Sequence, residues 1–142
     1  MEEQKIVRRI DLKVVFYLEA VINLVVVILC IFFPSFFIGQ FTTITLQIPG
    51  IEIIRWYGIL LLVITLILLG ALITKKYEFI RIVLISYLIG DIAQIGATIY
   101  FALKIATWNF AIIFTMVITV ILIVFRILVL SFPMLIKEKK IT

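Results

Sequence analysis

Four long apolar runs, joined by short polar connections, narrow what this chain can fold into more than any other feature. A helix crosses the hydrocarbon of a bilayer in about 20 mostly apolar residues. The first run extends from Leu12 to Phe33 and stops at Pro34. The second covers about Ile53 to Ile73 and the third about Ile80 to Leu103. The fourth covers about Phe110 to Phe132 and stops at Pro133. Proline lacks the backbone N–H that would continue a helix, so both stops are natural ends. The runs therefore predict an all-α integral membrane protein with four transmembrane helices in one domain, residues 1–142. Two connections are short, "TKKYEF" (74–79) and "KIATWN" (104–109), which makes the neighbouring helices antiparallel. The long connection, 34–50, holds three Phe and no charge, and is expected in the membrane interface or folded back over the bundle.

Composition agrees. Of the 142 residues 65% are hydrophobic and 15% charged, against about half and a quarter in an ordinary soluble domain. A domain this small has too much surface to hide the excess from water. The N-terminus "MEEQKIVRRIDLK" is too charged for a cleavable signal, and no small-residue cleavage site follows the first run. The chain has no histidine and a single cysteine, Cys30, inside an apolar run. That argues against zinc, haem and non-haem iron sites and excludes Ser-His and Cys-His nucleophile pairs. No metal and no cofactor is expected.

Lysine and arginine set the expected orientation. Lys5, Arg8, Arg9 and Lys13 precede the first span, Lys75, Lys76 and Arg81 surround the second connection, and Lys137, Lys139 and Lys140 follow the last. All three groups fall on one side of a four-span topology, and the positive-inside rule puts that side, with both termini, in the cytoplasm. The net charge of +5 then faces anionic headgroups, and nucleic-acid binding is a poor alternative.

Each run nevertheless carries an ionisable residue: Glu19, Arg55, Asp91 and Arg126. A charge at bilayer depth costs at least roughly 2.5 kcal/mol, so it faces the bundle interior with a partner, or has a function. At 1.5 Å per residue, Glu19 lies about 10 Å and Arg126 about 9 Å from the cytoplasmic ends of their helices. A Glu19–Arg126 pair is therefore available. Asp91 lies about 16 Å in, with no arginine at its own level. Asn23, one turn beyond Glu19, is the first expected partner for it, Arg126 the second, and a bound ligand a third. Thr119 lies near the same level. A carboxyl group without a charged partner there is a candidate for proton transfer or for hydrogen-bonding a ligand. Arg55 is expected near the outer end, snorkelling to headgroups. Trp56, Tyr57 and Trp108 are expected as interface anchors.

Two stripes run along the third span. Tyr87, Asp91, Gln94 and Thr98 share one helical face, expected to point inward. Ser86, Gly90, Ala93 and Ala97 form the adjacent face, and small residues let helices approach closely in lipid. Thr115, Thr119 and Arg126 share a face of the fourth span, as do Glu19 and Asn23 in the first. The same groups also have a plain structural reading, as interhelical hydrogen bonds or a register-fixing ion pair.

"FFPSFF" at the end of the first span and "IRWYGILLLVITLILLG" in the second resemble the DoxX-like group of small four-helix membrane proteins. The likeness covers mainly residues 12 to 73. It implies a left-handed four-helix bundle and a role as an accessory subunit of a membrane oxidoreductase or as an assembly factor. The architecture and the carboxylates Glu19 and Asp91 are also similar to the EXPERA-type sterol isomerase group.

The leading expectation is a non-catalytic membrane protein that contacts lipid and binds a hydrophobic molecule, quinone or sterol-like, or a partner membrane protein or further copies of itself. Its polar axis comprises Glu19, Asn23, Tyr87, Asp91, Gln94, Thr119 and Arg126. One alternative is a membrane enzyme using Glu19 and Asp91 as acid and base on a lipid or sterol-like substrate. Another is a small proton-coupled transporter.

Overall fold

The structure is a computed structural model and describes residues 13–104 and 108–132. The outer basic residues Lys5, Arg8, Arg9, Lys137, Lys139 and Lys140, and the stop at Pro133, lie outside the described residues. Among those described there is no strand. The elements are α1 (Lys13–Phe32), α2 (Pro34–Gly39), α3 (Ile48–Thr74), α4 (Tyr77–Lys104) and α5 (Phe110–Ser131). All but α2 are long and apolar enough to cross a membrane. Most of their large apolar side chains point outward, including Leu18, Leu60, Ile89 and Phe114. An outward apolar surface of this extent is compatible with a multi-pass integral membrane protein.

The helix ends differ from the expected runs for local reasons. α3 begins at Ile48 rather than near Ile53, because Pro49 fits in the first turn, where its missing N–H leaves no bond unmade. Lys75 adopts a left-handed conformation (φ 55°) and ends α3, the common chain-reversing cap. The chain therefore turns within two residues, and α4 starts at Tyr77 rather than near Ile80. Residues 34–50, expected as one long loop, contain α2 and a short linker. Pro34 opens α2 and is buried.

The four long helices associate as two pairs, α1 with α3 and α4 with α5, joined through α3 and α4. Gly58 sets the closeness of the first pair. A Cβ there would stand 2.8 Å from the Cβ of Cys30 and 3.0 Å from Cγ1 of Ile31, inside van der Waals contact. The apolar core common to all four helices is confined to the end of the bundle where α1 starts and α5 finishes. It holds Phe16 and Ala20 of α1, Leu68, Ala71 and Leu72 of α3, Ile80, Val83 and Leu84 of α4, and Val129 of α5.

The expected close-packing stripe of α4 is corrected. Ser86, Gly90, Ala93 and Ala97 are all exposed on the outside of the bundle, and nothing stands within 4 Å of a Cβ placed at Gly90. The buried line of α4 runs instead through Ile80, Leu84, Asp91 and Ala102.

Candidate functional site

At the upper edge of the common core three charged side chains meet. Phe16 and Ala20 fix the buried face of α1, and Glu19 on its flank turns toward the axis. On α5 the buried residues Ile112, Thr119 and Arg126 recur every seven positions, so Arg126 sits on the seam of the helix. On α4, Asp91 continues the buried line above Leu84. Arg126 is 0% exposed, Glu19 6% and Asp91 8%, so all three are sealed from the surroundings of the bundle.

Arg126 bridges the two carboxylates. Its Nη2 donates a hydrogen bond to Oε1 of Glu19, and its Nη1 forms an ion pair with Oδ2 of Asp91. The Tyr87 ring completes the seat, with the guanidinium carbon 4.9 Å from its centroid. The Tyr87 hydroxyl donates to the backbone carbonyl of Ile64 at 3.0 Å, tying α4 to α3. One guanidinium thus connects α1, α4 and α5, and its aromatic support reaches α3. Guanidinium suits this task, since its fixed fork of donors can serve two carboxylates at once. Apart from the ion-paired Oδ2 of Asp91 and Nη1 of Arg126, two polar atoms of the cluster, Oε2 of Glu19 and Nε of Arg126, are buried without a hydrogen-bond partner.

The structure brings Glu19 and Arg126 together as their matched depths suggest. It corrects the order of partners for Asp91, which pairs with Arg126, while Asn23 is half-buried and makes no hydrogen bond to Asp91 among the described residues. By helical rise Arg126 lies about 7 Å below Asp91, and an arginine side chain spans that gap. Gln94 is not on the axis but exposed. It lies about 60° around the helix from Asp91, enough to leave the buried face. Thr119 is buried, yet its hydroxyl donates to the carbonyl of Thr115 at 2.9 Å on its own helix rather than across the bundle. Thr98 and Thr115 are half-buried. Arg55 is remote from the cluster and pairs with Glu52 one turn earlier at 2.5 Å, both side chains largely exposed. Trp56 and Trp108 are exposed at the end of the bundle opposite the common core.

Asn109 escaped the reading of the sequence. Its side-chain oxygen accepts from the backbone N–H of Ile112 at 3.0 Å, capping α5. Its amide nitrogen donates to the carbonyls of Gln40 at 3.1 Å and Phe41 at 2.8 Å. It therefore fastens the linker after α2 to the head of α5, closing the end away from the cluster. The signal was present: asparagine directly before an apolar run is a helix N-cap pattern. Gly58 was visible only as part of a family likeness, because its role depends on which helix lies opposite.

Between these two closures the far halves of the pairs share no common core among the described residues. Buried positions persist within each pair, at Cys30 and Gly58 in the first and at Ala102 and Ile112 in the second. Asn23 of the expected axis, and Thr98 and Thr115 of the polar faces of α4 and α5, are only half-buried there. Comparison of the chain with family models, with curated proteins and with solved structures finds no match in any of the three.

Proposed function

We propose that this chain is a non-catalytic multi-pass membrane protein that binds a hydrophobic small molecule between its two helix pairs. The Glu19–Arg126–Asp91 cluster is the floor of that site. The observation that carries the reading is a sealed ion cluster joining three helices at the limit of the common core, with half-buried Asn23, Thr98 and Thr115 beyond it. A charged group this deep is expensive, and such groups mark ligand pathways as well as structural ties. The ligand class is quinone or sterol-like in size, reached sideways from lipid. The positive-inside bias of Lys13, Lys75, Lys76 and Arg81 supports cytoplasmic termini. The likeness of residues 12 to 73 to the DoxX-like group supports an accessory role. Acid–base catalysis by Glu19 and Asp91 is less favoured, because one guanidinium holds both and their environments are alike rather than opposed.

Native mass spectrometry from a gentle detergent tests the reading. The expected result is a co-purified apolar molecule on the wild-type protein, with occupancy reduced severalfold in Thr115→Phe, which fills the space between the pairs. A bare wild-type protein that also takes up no added lipophilic molecule, whether quinone, sterol or lipophilic cation, would overturn it.

A second reading has its own observation. Gln94 is exposed beside Gly90, Ala93 and Ala97 on a spanning helix. A carboxamide facing hydrocarbon lacks hydrogen-bond partners, and small residues beside it permit a close helix crossing. That face fits a partner helix, from another membrane protein or a second copy. Unchanged association of Gln94→Leu with itself and with co-purifying proteins would remove this reading.

A further inference from the structure

We infer, building on the ligand reading above, that the molecule taken between the helix pairs is a lipophilic monocation, such as an amphipathic amine or a quaternary ammonium or phosphonium ion. The cluster holds two carboxylates, Glu19 and Asp91, and one guanidinium, Arg126. Two negative charges against one positive leave one negative charge unmatched. The side chains of Arg126 and Glu19 are more than nine-tenths buried and that of Asp91 is 11% exposed, and Oε2 of Glu19 has no hydrogen-bond partner. An unmatched charge in an apolar interior is strongly disfavoured, so a unit of positive charge accompanies it.

Among the described residues no neighbouring side chain supplies that charge. On α1 the nearest cation is Lys13, six residues before Glu19, about 9 Å down the axis and on a different face. On α3 the buried group at this level is Thr65, whose hydroxyl donates to its own helix at the carbonyl of Leu61, 2.7 Å away. On α4 the Tyr87 ring is already set against Arg126, and on α5 Arg126 is itself the shared cation. A metal ion fits poorly. Hard cations take six or more oxygens, and no group of three metal-ligating side chains occurs among the described residues. An organic cation needs only the charge at one end and apolar surface for the rest, and beyond the cluster the helix pairs share no common apolar core among the described residues. A proton neutralises the same excess charge, so proton and cation compete for one position.

The experiment uses the purified chain in an uncharged detergent and three probes of similar shape: tetraphenylphosphonium, tetraphenylborate and uncharged tetraphenylmethane. The expected result is saturable binding of the phosphonium alone, at about one per chain. Its affinity should weaken by up to about tenfold per pH unit where the proton competes, with up to about one proton released per cation bound. Glu19→Gln and Asp91→Asn, each shown to elute and unfold as the wild type, should each weaken binding tenfold or more. Proton release is read on the wild-type chain, so it decides the matter even if a variant fails to fold. Saturable binding of tetraphenylmethane that equals phosphonium binding, with no proton released, would overturn the charge inference and leave the hydrophobic-ligand reading standing. Saturable binding of none of the three would overturn both.

Discussion

Arg126 carries one positive charge against two carboxylates, so the three positions do not tolerate change equally. Glu19→Gln or Asp91→Asn leaves one balanced pair and a neutral amide of the same shape. Each should shift stability by no more than about 1 kcal/mol. Arg126→Leu leaves two carboxylates facing each other and should cost about 3–5 kcal/mol, the range for stripping the partner from a buried charge. The double variant Glu19→Gln/Asp91→Asn strands the guanidinium, and its cost should exceed the sum of the single ones. Reversible unfolding in mixed micelles measures this cycle; simple additivity would show that the two carboxylates do not share one cation. The Glu19–Arg126 pair was legible in the sequence because helical rise converts residue counts into depth. The Asp91–Arg126 pair was legible only as second choice behind Asn23, because depth counts locate Cα atoms, whereas a long side chain reaches more than a turn beyond its own.

The existence of the helices followed from apolar length alone, since only a helix satisfies its own backbone in a lipid-filled run. Their rotation did not follow. The side chains of α4 are apolar on most faces, so composition could not separate the face against α3 and α5 from the face toward lipid. A displacement of about 60° was enough to carry Gln94 outward. The seam of α3 shows the same limit, since Gly58 has meaning only against Cys30 and Ile31 of α1. Because a Cβ at Gly58 would lie 2.8 Å from that of Cys30, Gly58→Val should force α1 and α3 apart. It should cost about 1–3 kcal/mol, the range for overpacking a close-fitted contact. Gly90→Val, with open space around it, is the matched control. Thermal unfolding of the two variants in the same detergent separates them, and equal losses would show that the α1–α3 crossing is not set by Gly58.

At the scale of the molecule, the common core occupies one end, Asn109 closes the other, and two helix pairs stand between them. An even number of spans returns the chain to the side on which it began, and the Lys75–Lys76 turn lies on that side too. On the proposed orientation, reporters fused to each end of the chain should both be active in the cytoplasm, with a reporter inserted at 40–47 on the opposite side. Reporter activity on different sides for the two ends would contradict a four-span arrangement.

The position of Arg126 on α5, after the helices that carry its partners, has a consequence for how the protein is made. The chain is synthesised from α1 onward, so Glu19 and then Asp91 enter the membrane before their shared cation exists. Until α5 arrives, the nascent chain holds two carboxylates in hydrocarbon without the guanidinium that joins them. The three preceding spans should therefore remain loosely assembled at the insertion machinery, and the arrival of α5 completes the charged cluster in one step. A chain truncated before α5 would display its incompleteness as unmatched charge, a signal that membrane quality control can read.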